Sequence, residues 1–526
     1  MRKPFQDCYW VEPGKLLAGE YPGTGNEEDT SRRLRALLEC GITAFVDLTR
    51  ENEYGLPPYE ELLHEEAAKS GWTVQYNRMS IPDGRAGSVE HIERVLGVIE
   101  ECLGAGRPVY VHCFGGHGRT GMVVGCYLVQ SGYGGEEALD RVRLLHNETS
   151  APSFPSPETE EQRKRVAGWA AKLSPGERIY GCLLGGAVGD ALGYPIEFPG
   201  LSEIRARYGP AGIQDFSNHA DGRISDDTQM TLFTAEGLIR AAVCRKEKGA
   251  CDVPVIVHHA YLRWLFTQGE RIIGRRVPGA SFHREPDGWL ARIRGLYEIR
   301  APGITCMTAL QSGKMGTVAK PLNNSKGCGG IMRMAPAGLV NASDPFELGC
   351  ELAAITHGHP SGYLAAGFFA QLIHEINNQS DLREAIARST SRLMERPRHE
   401  ECLRAVGRAL RLAGEGPPSP EQVERLGRGF VGEEALAISL YCALVANDFA
   451  GGVRLAVNHG GDSDSTGAIT GNILGVVLGR RSIPRAWLEK LELRDVIEQV
   501  SQDLMQLSAT PDVLNLEEYR ERYPGW

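Results

Sequence analysis

PVYVHCFGGHGRTGMVVGCYLVQ, residues 108–130, decides how the first third of this chain folds. The β-branched and aromatic run PVYVH predicts a strand, and TGMVVGCYLVQ spaces its apolar residues as a buried helix does. Between them, Cys113 is followed by five residues and then by Arg119 and Thr120. Strand, tight loop and helix follow in the order that points backbone N–H groups and a helix N-terminus at one anion. Upstream, GITAFVDL (41–48) reads as another strand, after a helix that Gly41 closes. The N-terminal region is therefore predicted to be an α/β domain.

The loop also carries chemistry. Arg119, aligned amides and a helix N-terminus all favour thiolate over thiol at Cys113, which makes it a nucleophile suited to displacement at phosphorus. Gly115, Gly116 and Gly118 clear side chains from where the backbone must turn inward. Thr120 can donate to the thiolate, and Arg119 can hold the equatorial phosphate oxygens. Asp83, in the turn Ser80-Ile81-Pro82-Asp83-Gly84, is the candidate general acid. A lone cysteine would read as a core thiol and a lone PDG as a turn; the complete array between strand and helix overrides both. Residues 8–170 resemble a dual-specificity or tyrosine-phosphatase-like domain, through CYWVEPGKLLAGEYPG and VYVHCFGGHGRTG. That resemblance implies a phosphocysteine mechanism with no cofactor.

SAPSFPSP (150–157) and the helix-forming ETEEQRKRVAGWAAKL (158–173) lead to a boundary near Ser174-Pro175-Gly176, giving domains 1–173 and 174–526. Beyond it, GCLLGGAVGDALG (181–193), alanine-rich stretches and ALAISLYCALVANDF (435–449) predict an all-α domain cut by short glycine-rich and acidic loops.

Two of those loops hold oxygen donors: Ser225-Asp226-Asp227-Thr228 and Asp462-Ser463-Asp464-Ser465-Thr466. Carboxylates and hydroxyls are hard ligands suited to Mg2+ or Mn2+. Asp462 and Asp464, two apart, are expected on one side of an extended loop, and both clusters lead into helices whose dipoles favour the acids. Asp-Asp-Thr alone would be an N-cap and the second run a solvated turn; their pairing in one helical domain points to a shared site for two ions. Glu197, after GDALGYP, can orient water or a ribose hydroxyl. Asn323, Ser325, Lys326, Gly327, Gly329 and Gly330 are expected to cradle phosphate, with Lys326 adding charge. His357 and His359 in THGHPSGY are expected near the ligand, although helix-end roles fit them equally.

Residues 177–490 resemble the ADP-ribosylglycohydrolase family, including its dinitrogenase reductase-activating and arginine-directed members, through GCLLGGAVGDALGYPIEF, ISDDTQMTLFTAEGL, SKGCGGIMRMAPAG, THGHPSGYLAAG and NHGGDSDSTGAITGNILG in that order. The resemblance implies two Mg2+ held by Ser225, Asp226, Asp227, Asp462, Asp464 and Ser465, with Glu197 near the distal ribose. Asp227 or Glu197 would move the protons of hydrolysis. SKGCG and THGHP resemble the arginine-directed branch more than the serine-directed one.

Composition narrows the classes. The chain has 526 residues, 57 Lys and Arg against 67 Asp and Glu, and a formal charge of -10, which argues against stable nucleic-acid binding; modified nucleic-acid ends stay among the allowed substrates. Thirteen cysteines without compact pairing read as buried thiols in a reducing compartment. With no signal segment and no run long enough to span a bilayer, the expectation is a cytoplasmic bifunctional hydrolase acting on an ADP-ribosylated protein or small ADP-ribose derivative and on a phosphorylated substrate. The alternative is one catalytic domain joined to a phosphate or ADP-ribose binding module.

Overall fold

Val109 and Val111 of strand β5 (Val109–His112) face one hydrophobic core while Tyr110 faces another. This alternation appears in a computed structural model of the chain, which describes residues 3–525 apart from 132, 151–152, 170–172, 174, 217–220, 271–285 and 510–515. The chain divides into two units, Met1–Lys172 and Leu173–Trp526.

In the first unit, β1 (Cys8–Glu12), β2 (Leu16–Gly19), β3 (Ala44–Asp47), β4 (Gln75–Arg78) and β5 form one sheet in the order β1-β2-β5-β3-β4. Only β1 with β2 is antiparallel. A mostly parallel sheet buries both faces, which is why Phe45 and Tyr110 are as buried as Val46 and Val111. β5 lies inside the sheet, so its C-terminal end opens between neighbours at the loop 113–118. The helix predicted after Arg119 spans Arg119–Gln130. The closing helix is shorter than the sequence predicts: it spans Glu160–Ala167 and stops at Gly168.

The second unit is helical, and one packing contact positions its acidic residues. Helices Pro175–Gly193 and Ser463–Leu478 run against each other along a seam of glycines four residues apart. Gly181 faces Gly475, Gly185 faces Gly471 and Gly189 faces Gly467, so main chain meets main chain. A Cβ on Gly189 would sit 2.0 Å from the Gly467 carbonyl oxygen, which a backbone cannot yield without the helices parting. Gly189→Ala is accordingly expected to destabilise this unit by about 1–3 kcal/mol, read from denaturant unfolding. An unchanged midpoint would show that the seam tolerates separation. Among the described residues, no helix is long and apolar enough to cross a membrane.

Candidate functional site

Two helix N-termini deliver the acids of the second unit. Ser225 caps the helix Asp226–Lys248, its Oγ accepting from Asp227 N at 3.2 Å. Asp462 occupies the N-cap position of Ser463–Leu478. Asp462 and Asp464 are therefore not in extended backbone, as their spacing predicted. They straddle a helix start, where Asp464 meets a first-turn N–H that lacks a helical partner, accepting from Ser465 N at 3.0 Å. The glycine seam sets this turn against the chain just past Gly193, and one carboxylate oxygen each from Glu197, Asp462 and Asp464 lie within 4.8 Å of one another.

The sequence reading missed Asp190. It is fully buried in the Pro175–Gly193 helix, accepting from Ser225 N at 3.0 Å, from Thr228 N at 3.1 Å and from the Thr228 hydroxyl. It thereby ties the second helix start to the seam. The signal was the single acid in GCLLGGAVGDALG, a costly residue in so apolar a helix.

No Lys or Arg forms an ion pair with Asp190, Glu197, Asp226, Asp227, Asp462 or Asp464 among the described residues. Burial first, then the neighbouring carboxylates, push Glu197 up to about 10 and Asp190 up to about 7. Burial likewise holds Asp226, Asp227 and Asp462 well above the usual carboxylate range. The two clusters meet on the Pro175–Gly193 helix: Asp190 holds the Ser225 turn, and a Cβ on Gly193 would lie 2.6 Å from Asp464 N. Asp227 Oδ1 is buried with no hydrogen-bond partner. An oxygen-only donor set, clustered negative charge with no paired Lys or Arg among the described residues and an orphaned carboxylate oxygen together fit hard divalent cations. Cys328 borders this centre, its thiol donating to Asp462 Oδ2 at 2.7 Å.

The first unit holds a separate constellation at the end of β5. Cys113 is buried at the start of the loop, and Gly116, at φ 74°, passes so close to Gly19 that a Cβ would lie 2.5 Å from its carbonyl carbon. Arg119 is 1% exposed, and its two terminal nitrogens donate to the Glu53 carboxylate at 2.9 and 2.5 Å. Asp83 Oδ1 lies 3.0 Å from the same guanidinium, so the predicted acid reaches the loop. The turn that carries it closes through Arg85 N donating to Pro82 O at 3.1 Å, with Gly84 at φ 68°. Arg119 Nε and Thr120 Oγ1 are buried without partners, two donors to spare beside an anion loop.

Sequence reasoning also missed Glu53 and Tyr54. Tyr54 donates to Asp83 Oδ2 at 2.7 Å and sets its ring 5.2 Å from that of Phe114. Both placements depend on left-handed backbone at Asn52 and Tyr54, which no local motif announces. Beneath the loop, buried His112 meets the Tyr59 hydroxyl at 2.6 Å through Nε2, and burial lowers its proton affinity.

The ADP-ribosylglycohydrolase family profile matches residues 171–513, which contain every acidic residue of the first centre. The chain belongs to the ADP-ribosylglycohydrolase family. Its N-terminal unit matches the phosphatase domain described as "Swiss Army Knife protein, DSP-PTPase phosphatase domain" over residues 6–163. Among curated relatives, the ADP-ribosyl-[dinitrogen reductase] glycohydrolase of Rhodospirillum rubrum is 26% identical, over 60% of this chain and 91% of that one. The ADP-ribosylarginine hydrolase Tri1 of Pseudomonas putida (strain GB-1) is 24% identical, over 66% of this chain and 82% of its own length. The solved structure of Tk-PTP in the active form shares 28% identity over 32% of this chain and 98% of that one, with a TM-score of 0.25. Both units thus fall in enzyme families.

Within the glycohydrolase unit, the 323–330 loop differs from the expected phosphate cradle. Lys326 Nζ sits 2.6 Å from Glu401 and pairs also with Glu433, so its charge is already matched. Asn323 braces the loop, its Oδ1 accepting from Ser325 N at 3.0 Å and Gly358 N at 3.2 Å. Gly327 N donates to Ser325 Oγ and Cys328 N to Phe430 O, which turns these amides inward. The loop is drawn tight because Cys328 is anchored on Asp462. His357 packs under Gly327, Gly329 and Gly330, within 3.2–3.4 Å of where Cβ atoms would stand there, and burial drives it down to about 3, leaving it neutral. His359 caps the helix Pro360–Asn377, Nδ1 accepting from Ser361 N at 3.1 Å. The helix-end reading of His359 is the one its contacts support.

Proposed function

We propose that the chain is a bifunctional hydrolase whose two units release ADP-ribose and phosphate separately. The observation that carries the first activity is the meeting of two sequence-distant acidic helix starts on one helix, through Asp190 and Gly193, beside Glu197, with no Lys or Arg paired to these acids among the described residues. Ser225, Asp226, Asp227, Asp462, Asp464 and Ser465 would hold two Mg2+, with Mn2+ an acceptable substitute; bound there, the ions supply electrostatic stabilisation and orient ribose hydroxyls.

The reaction is hydrolysis at C1 of the distal ribose. Its glycosidic C–N or C–O bond breaks, a water oxygen bonds to that carbon, and the departing nitrogen or oxygen takes up a proton. Asp227, with its free buried Oδ1, or Glu197 accepts the water proton. Asp190 keeps the Ser225 turn in register through its three acceptor contacts. An arginine linkage is the reading that the named similarity to an arginine hydrolase supports.

In the phosphatase unit, Cys113 Sγ attacks phosphorus, the ester P–O bond breaks and Asp83 protonates the leaving oxygen. Water then attacks phosphorus, Asp83 takes its proton and the thiolate departs with help from the Thr120 hydroxyl. Glu53 holds the Arg119 fork rigid throughout.

The test is a product-resolved assay on ADP-ribosylated and phosphorylated compounds, with and without Mg2+. ADP-ribose release only with the metal and phosphate release in its absence are expected. No turnover of any ADP-ribose linkage, despite tight binding of ADP-ribose, would favour a binding module instead.

Cation binding should also appear in stability. The cluster's carboxyls hold protons more tightly folded than unfolded, so in chelator their contribution is complete below about pH 4 and is lost as pH rises. For Asp190 the loss falls near 7 and for Glu197 near 10. In EDTA the melting temperature should therefore be lower at about pH 8 than at about pH 6, and Mg2+ at a hundred times its Kd should restore about 2.7 kcal/mol. Equal melting in chelator at both pH values would contradict the assignment.

A further inference from the structure

Phe198 follows Glu197 directly, yet its ring is 62% exposed and its backbone is left-handed at φ 79°. Both features are unfavourable for a phenylalanine, since an apolar ring gains by burial and an L side chain crowds the main chain at positive φ. The strain is held in place by the site itself, because Phe198 N donates to Gly461 O at 3.2 Å, one residue before Asp462. The ring stacks on Phe430, with centroids 6.0 Å apart and planes 14° from parallel. Phe430 in turn accepts from Cys328 N, the residue whose thiol rests on Asp462. This aromatic pair is thus pinned to the acidic centre at both ends.

The pair already carries one guanidinium. Arg428 lies over Phe430, 5.3 Å from its centroid, and is steered by Nε donating to Gly460 O at 3.0 Å. Phe198 keeps a ring exposed beside Glu197 and the Asp462 turn, and such a face next to carboxylates attracts a planar cation. Resting on the reading of the second unit as an ADP-ribose hydrolase, we propose that Phe198, backed by Phe430, is a specificity-determining platform for the guanidinium of an arginine leaving group. On that reading the distal ribose lies at Glu197, which puts the group on its C1 beside the next residue. The adenine, at the other end of the diphosphate, is the competing planar group.

Phe198→Gly removes the ring while suiting the left-handed backbone, and Phe198→Tyr keeps the ring; melting curves with Mg2+ confirm folding of each. On ADP-ribosylarginine, Phe198→Gly is expected to lose about tenfold in kcat/KM, with Phe198→Tyr close to the parent. Calorimetric affinity for ADP-ribose, which lacks the leaving group, should not change. Weaker ADP-ribose binding in Phe198→Gly would assign the platform to adenine and overturn the proposal, as would an unchanged kcat/KM. Should the parent chain hydrolyse no ADP-ribose linkage, the proposed activity fails on its own. The same calorimetry with intact ADP-ribosylarginine then decides the platform, equal affinity of parent and Phe198→Gly ruling it out.

Discussion

Asp464→Ala is expected to reduce Mg2+-dependent ADP-ribose release by roughly 10²–10³-fold or more, with phosphate release as the unaffected internal control. Asp464 lies at the centre of the cluster: it shares the 4.8 Å group with Glu197 and Asp462, and its charge raises the proton affinity of Asp190, Asp226 and Asp227. Truncating it removes one donor and loosens the link between the two helix starts. Alanine also removes a buried charge, so the apo protein should melt no lower than the parent in chelator. Mg2+ titration followed by calorimetry should show the loss directly. Retained turnover with retained Mg2+ binding would place the ions elsewhere and end the proposed centre.

The second large effect belongs to the other unit. Cys113→Ser is expected to lower phosphate release by about 10⁴-fold or more, because loss of the nucleophile removes a member of a unit whose parts act together. The fold should survive, since serine nearly matches cysteine in size and Cys113 is one buried residue in a well-filled core. Phosphate-analogue binding should persist, as Arg119 remains gripped by Glu53. Measured on an activated aryl phosphate, residual activity within tenfold of the parent would exclude Cys113 as the attacking atom.

Local patterns carried most of what the sequence revealed. The strand, glycine loop and helix around Cys113 lie within 23 residues, and each is set by its neighbours, so the loop and its candidate nucleophile could be read together. Ser225 and Asp462 were legible for a related reason: a polar run ahead of an apolar helix marks an N-terminus whichever way the domain folds. What escaped depends on distant pairing. Lys326 reads as a phosphate ligand, and its pairing with Glu401 and Glu433, far along the chain, is not legible from its own loop. His357 looked like a ligand contact, yet its ring fills the space that three glycines leave open. Glu53 and Tyr54 sit in ENEYG, where nothing local separates a clamp on Arg119 and Asp83 from an ordinary surface loop. Asp190 was visible as an oddity, but its partners were not.

At Gly181 with Gly475, Gly185 with Gly471 and Gly189 with Gly467, Pro175–Gly193 and Ser463–Leu478 meet main chain to main chain. Side chains placed between two helices can each wander among rotamers; here the spacing between Asp190 and Asp464, on different helices, is cut by polypeptide against polypeptide. One methyl group added at the join, as in Gly189→Ala, would force that spacing to change.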